Sequence, residues 1–388
     1  MTTKSISKVK SITLYLILFA TFVIVQSCGN NSGSSSGISN VESLGKVGSK
    51  AGEIQGIENW INSKPLNLAD LDGKVALIDF WTYSCVNCIR TLPYLKQWHE
   101  KYADHGLIII GVHSPEFNFE ASVDNLQSAV DEFGIEWAIA QDNEFETWKA
   151  FGNRFWPAKY LIDKQGIIRY THFGEGEYHD TEMAIRMWLD DAGHDMSNIN
   201  ISNDFGPIQH KLALSRNIEK RQTRELFAGL KFNLRARPPY MVQTEMYENP
   251  PDSLIMLEDP GEHLNHFLYF HGMWSNGVEA VKHGRRTNDL EDYVAIKFVA
   301  TSANVVLGYT TQDYRVYATI NESPIEIENR GSDIKEDENG QTYLLIDSSR
   351  MYNIMQSSDY LERSLQLKSN AQDFSVFSFS FGSYPGGP

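Results

Sequence analysis

Past residue 50 the chain alternates between short apolar runs and stretches with an apolar residue at every third or fourth position. Val75–Trp81 (VALIDFW) is apolar except for Asp79, as expected of a strand buried on both faces. Leu107–Val112 (LIIIGV) reads as a second such strand, and Lys159–Asp163 with Ile167–Tyr170 as a hairpin. Ile89, Leu92, Leu95, Trp98 and Tyr102 fall at helical spacing, and Asn118–Phe133 and Asp180–Asp191 share that periodicity. Strands alternating with helices and closing on a hairpin predict an α/β domain, a mixed central sheet with helices on both faces. Residues 193–230 are polar and mixed, with a helix predicted over Lys211–Leu230. From residue 231 the pattern becomes β-rich. Candidate strands are His266–His271, Tyr293–Thr301, Val305–Tyr309, Arg315–Ile320, Thr342–Asp347 and Phe374–Phe381, separated by turn signals such as Asn339-Gly340. Many short strands at this spacing predict an all-β sandwich or jelly roll.

The amino terminus reads differently. Lys4, Lys8 and Lys10 precede the apolar run Ile12–Val25, which is shorter than a full membrane span, and Ser27 stands before Cys28. This pattern predicts a cleavable secretory signal over residues 1–27, with an uncleaved membrane anchor as the alternative. Val25-Gln26-Ser27-Cys28 resembles a bacterial lipobox, which implies cleavage before Cys28 and its lipidation. Either reading places the rest of the chain outside the cytoplasm. Residues 28–50, rich in Gly, Ser and Asn, then form a flexible tether that spans roughly 25 Å on average. The predicted organisation is signal 1–27, lipidated cysteine and tether 28–50, α/β domain 51–192, linker 193–230 and β-sandwich domain 231–388.

Composition narrows the chemistry. The 388 residues carry a net charge of −16, and removal of three lysines with residues 1–27 would leave −19. Such a surface repels nucleic acid and anionic lipid headgroups, so no nucleic-acid partner is expected and attachment to a membrane would be through lipid. The three cysteines are Cys28, Cys85 and Cys88, too few for a disulfide framework or a four-cysteine metal cluster.

Cys85-Val86-Asn87-Cys88 lies between the VALIDFW strand and the helix that follows. A Cys-x-x-Cys at a strand-to-helix turn points to redox chemistry, because the helix N-terminus stabilises a thiolate and the second thiol sits one turn on. Half of a zinc site would need two more ligands, and His99, His105 and His113 are scattered, so no metal is expected. An inert disulfide closing so small a ring would constrain the unfolded chain weakly. Asp79 is costly inside an apolar strand unless its pKa rises, and a raised pKa suits a proton acceptor for Cys88; an ordinary strand-end carboxylate is the alternative. Tyr83 and Ser84 are expected to line the surface groove beside the pair.

These positions resemble the thioredoxin superfamily, and specifically its exported TlpA-like branch. Asp79, six residues before Cys85, matches the buried acid that assists proton transfer from the second thiol. Pro93 matches the proline of the active-site helix. Trp156-Pro157 matches the cis-proline segment that receives the substrate backbone. WTYSCVNCIRTLPYL, GVHSPEF and GNRFWPAKYLID resemble the exported region of DipZ proteins over roughly residues 50–192. RELFAG (Arg224–Gly229) and SVFSFSFG (Ser375–Gly382) resemble its carboxyl-terminal, carbohydrate-binding-module-like sandwich. No segment resembles the multi-span membrane part of DipZ, so electrons are expected from a separate membrane donor.

The resemblance implies a thiol-disulfide oxidoreductase of the bacterial cell envelope. Cys85, Cys88 and Asp79 would be catalytic, and Trp156, Pro157 and Tyr83 would bind substrate. The redox disulfide itself would be the only cofactor. Val86-Asn87 brings no positive charge near Cys85, which favours reduction of disulfides in exported proteins over oxidation or isomerisation. A peroxidase would carry Pro-x-x-x-Thr-x-x-Cys, and here Thr82 stands before Cys85 without that proline. A glycan- or partner-binding protein using the α/β domain as scaffold is the reading from another class. Trp274, Tyr309, Tyr314 and Tyr317 are candidate exposed aromatics for it, with core or cross-strand positions as the alternative. His263, His266 and His271 fall on mixed strand faces, which argues against a metal there.

Overall fold

The computed structural model describes residues 45–71, 73–202, 206 and 210–384. Cys28, the predicted signal and most of the tether lie outside the described residues. The α/β region runs β1 (Trp60–Ile61), β2 (Val75–Trp81), α1 (Val86–Tyr102), β3 (Leu107–His113), α2 (Val123–Glu132), β4 (Ala138–Gln141), α3 (Glu146–Ala150), β5 (Ala158–Ile162), β6 (Ile168–Phe173) and α4 (Tyr178–Asp191). Its sheet has the order β1-β4-β3-β2-β5-β6, with β2, β3 and β4 parallel and β1, β5 and β6 antiparallel to their neighbours. This is the expected mixed sheet.

Strand periodicity sorts the core. In β2, Val75, Leu77 and Trp81 face one layer, packed with Leu92, Leu95 and Trp98 of α1, Leu126 of α2 and Ile185 of α4. Ala76, Ile78 and Phe80 face the other, with Trp148 of α3 and Phe151 just after it. Odd positions of β2 therefore point at α1, and Asp79 is one of them.

The β-rich region contains β7 (Leu226–Phe227), β8 (Leu254–Leu257), β9 (Leu268–Asn276), β10 (Val281–His283), β11 (Tyr293–Gly308), β12 (Tyr314–Ile320), β13 (Ser323–Pro324), β14 (Ile334–Glu336), β15 (Thr342–Ile346), β16 (Arg350–Lys368) and β17 (Ser375–Gly382). They form one hydrogen-bonded network of eleven strands around a single large apolar core. The two strands expected at 293–301 and 305–309 are one, β11. Its register shifts near Ala300–Asn304, and it pairs with β9 at one end and with β17 at the other. One strand with register shifts thus pairs with different neighbours along its length.

The helix expected over Lys211–Leu230 is not present: Lys211–Leu214 is a single 3₁₀ turn. Ser215 and Asn217 side chains accept backbone N–H bonds two residues on, which competes with helix. Thr223 N–H then bonds Val299 of β11, and Leu226–Phe227 pairs with β17. Trp274 and Tyr314 are core residues, 0% and 8% exposed. Tyr309 packs against that core, and Tyr317 lies 5.9 Å from Tyr343 across the strand pair. The core alternative therefore holds for these aromatics.

Candidate active site

Register brings the site together. Asp79 lies opposite Lys159 on β5 and Phe80 opposite Ala158, so the Trp156-Pro157 segment before β5 arrives beside the turn that follows β2. The Trp156-Pro157 peptide is cis. Pro157 is buried, while Trp156 is half-buried, donates through Nε1 to Ser114 O at 3.0 Å and packs 4.4 Å from Trp148.

Cys85 is the N-cap of α1, with extended backbone (φ −82°, ψ 112°), and its Sγ accepts the Cys88 N–H at 3.4 Å. No acidic side chain stands in the first turn of α1, so the unpaired N–H groups there face sulfur without a competing carboxylate. Cys85 is half-buried and Cys88 is 1% exposed; both are free thiols. Burial pushes the Cys88 thiol well up, and the Cys85 sulfur it faces adds to that. One sulfur is reachable and the other is sealed.

Asp79 is 2% exposed and pairs with Lys159, itself 1% exposed, at 3.0 Å. Burial raises the Asp79 carboxyl and Lys159 opposes the shift, with burial prevailing. Leu161, in step with Lys159 on β5, packs in the same layer as α1, so both charges face the Cys88 side of the sheet. Sequence reasoning singled out Asp79 and gave Lys159 no role.

Tyr83 and Ser84 are more buried than groove-lining residues need be. Tyr83 is 3% and Ser84 4% exposed, and Tyr83 borders a cavity it shares with Ile89 of α1, Asn125 of α2 and Arg350 of β16. Tyr83 stacks on buried His113 at 5.5 Å, and burial holds the His113 pKa down at about 3, hence neutral. Ser84 donates its N–H and hydroxyl to Glu120 Oε1 at 3.3 and 2.5 Å. Glu120, fully buried, also accepts the N–H groups of Glu116 and Phe117 through Oε2. This carboxylate ties the turn before Cys85 to the loop after β3. Only its place in a polar-looking segment marked it in the sequence, which is no signal of burial.

The β-rich region abuts this site. Phe117 and Phe119, beside Tyr83, pack edge-on against Phe377 of β17 at 5.1 and 5.0 Å. Lys231 donates to Glu116 O and pairs with Glu279, whose other oxygen accepts the Asn118 N–H. Arg90, two residues past Cys88, pairs with Glu175 at 3.5 Å and faces the Tyr384 ring. A side chain at Gly382 would meet Arg90 Nη2 at 2.6 Å, so glycine permits this close approach.

A model of the AhpC/TSA family matches residues 47–171, and a model of a thioredoxin-like C-terminal domain matches residues 245–382. Protein DipZ of Mycobacterium tuberculosis is 45% identical over 161 residues, 41% of this chain and 23% of DipZ. The thiol-disulfide oxidoreductase YkuV of Bacillus subtilis is 30% identical over 122 residues, which cover 31% of this chain and 82% of YkuV. The chain belongs to the thiol-disulfide oxidoreductases. Its fold neighbours include the thioredoxin domain of a thiol-disulfide oxidoreductase from Bacteroides vulgatus, at 25% identity and a TM-score of 0.31, covering 36% of this chain and 98% of that one. The oxidoreductase described here spans about a quarter of the length of the DipZ relatives it matches. Among its described residues no helix is long and apolar enough to cross a membrane.

Proposed function

We propose that this oxidoreductase reduces disulfides of exported proteins at the bacterial cell envelope, held there through a lipid on Cys28. The asymmetry of the cysteine pair carries the reading: Cys85 is only partly buried at a helix N-terminus, and Cys88 is sealed beside Asp79. Cys85 thiolate attacks a client disulfide. The client S–S bond breaks, a Cys85–client bond forms, and one client sulfur leaves and takes a proton. Cys88 gives its proton to Asp79 and attacks Cys85 Sγ, which closes the Cys85–Cys88 disulfide and releases the second client thiol. Two electrons pass to the client, and a separate membrane donor restores the pair.

The direction rests on the residues between the cysteines. A strong oxidant keeps its reduced form stabilised through a strongly favoured nucleophile thiolate, and Val86-Asn87 brings no positive charge to Cys85 that would do so. That supports electron donation over oxidation or isomerisation. Trp156 and Pro157 would receive the client backbone. Tyr83 would act by holding the turn rather than by touching the client. Export and lipid attachment rest on the basic-apolar-VQSC pattern of the amino terminus.

Single-turnover assays with a mixed-disulfide client test the chemistry. Cys88→Ser is expected to stop at a covalent Cys85–client adduct visible by mass spectrometry, and Cys85→Ser to give neither adduct nor product. Normal turnover by Cys85→Ser would remove the proposal. Globomycin treatment or Cys28→Ala in a bacterial host is expected to release the protein from the membrane fraction.

A further inference from the structure

Between the start of α1 and the β-rich region lies a cavity of about 550 Å³. Its α/β wall is Val86 and Asn87, the two residues that follow Cys85, and its far wall includes Phe267 and Phe381. The segment read from sequence as linker forms the rim, where Leu214 and Ile218 are 74% and 60% exposed. Apolar side chains left in water at the mouth of a cavity mark a binding surface more than a packing one. The volume is that of an ordinary ligand site and holds a few side chains, so no folded domain enters it.

The charge is local and opposite to that of the molecule. Arg221, Arg224 and Glu225 line the cavity, and none of the three stands in an ion pair among the described residues. Arg224 spends its donors on the carbonyls of Pro238, Pro239 and His266, which keeps its charge while holding the wall. Two guanidiniums against one carboxylate leave this wall positive in a chain of net −16.

We propose that the cavity is a client subsite that takes an extended, unfolded polypeptide segment with an apolar side chain and an acidic residue close to the cysteine being reduced. This rests on the reductase reading above. Apolar side chains of an unfolded chain are available to Leu214, Ile218 and Phe267, and an acidic neighbour meets Arg221. The position of Val86 and Asn87 sets the segment beside Cys85. The β-rich region thereby acts as the second wall of the substrate site.

The test uses the full chain with its pair pre-reduced and peptide–glutathione mixed disulfides as substrates. Each turnover oxidises the cysteine pair and yields one peptide thiol and one glutathione, counted after acid quench. Three peptides of equal length carry Leu and Asp, Ser and Asp, or Leu and Lys near the cysteine. The Leu/Asp peptide is expected to react about tenfold faster than the Ser/Asp peptide and severalfold faster than the Leu/Lys peptide. Leu214→Glu/Ile218→Glu, at exposed positions, is expected to bring the first ratio toward one, and Arg221→Glu to reverse the second. Equal rates for all three peptides, ratios untouched by these variants, or glutathione disulfide reduced as fast as the Leu/Asp peptide would each overturn the subsite. Failure of the reductase reading looks different: neither glutathione disulfide nor any peptide is reduced.

Discussion

Asp79 is where the smallest detail decides most. A carboxylate in the α1-facing row of β2 is tolerated because Lys159 sits 3.0 Å away, and burial still raises its pKa. The proposed resolving step needs the ionised form of Asp79, so its rate is expected to climb as pH rises through the elevated Asp79 value. Asp79→Asn should lose that limb of the pH–rate profile; an unchanged profile would assign proton transfer elsewhere. The same shift has a sign for stability. A raised native pKa means that the contribution is fully present below the ordinary value of 3.8 and is lost as pH climbs through the native one. Removing one partner of the buried pair strands a charge, so Lys159→Met is expected to cost about 3–5 kcal/mol in urea unfolding. The Asp79→Asn/Lys159→Met double variant should recover most of that loss. Asp79 was legible in the sequence as the lone acid in VALIDFW. Lys159 was not, because only the β2–β5 register makes it a partner, and a lysine in a short strand ordinarily signals an edge.

α1 starts where a helix needs a cap, and the cap is the sulfur of Cys85, the proposed nucleophile. Its geometry depends on a turn with no regular structure of its own, fastened by Glu120 across 36 residues of sequence. Glu120→Ala leaves Ser84, Glu116 and Phe117 N–H groups buried without an acceptor, and should destabilise the fold by about 2–4 kcal/mol. Glu120→Gln keeps an acceptor and should recover part of that; identical losses would point to packing alone. Elements whose core face shows as a clean period were legible: β2, β3, α1, α2 and α4 stand within a few residues of where periodicity puts them. β16 was not. Its nineteen residues include many polar ones, and its buried positions run together over Tyr352–Met355 and then fall irregularly, so no single period marks it. The helix expected over 211–230 failed for a related reason, since long-range pairing to β11 and β17 outweighs local propensity.

The whole molecule places an aromatic seam between the redox sheet and the β-rich region, next to the cysteines. Phe117 is 1% exposed and lies within 6.4 Å of Phe227, Phe232 and Phe377. Phe117→Ala is expected to cost about 3–5 kcal/mol and to raise protease sensitivity at the seam. A loss below about 1 kcal/mol would mean that the two regions hold together without it. The division into an α/β and a β-rich part was legible from the change in pattern near residue 231. Their contact around Cys85 was not, because no local pattern reports which surfaces of two domains meet. The proposed function makes the Cys85/Cys88 pair an electron donor. The reduction potential of Cys85/Cys88, by equilibration of the full chain with dithiothreitol or glutathione buffers, tests it most directly. A value near that of thioredoxin, about −270 mV, is predicted, and one near about −120 mV, or a pair that does not cycle, would contradict it.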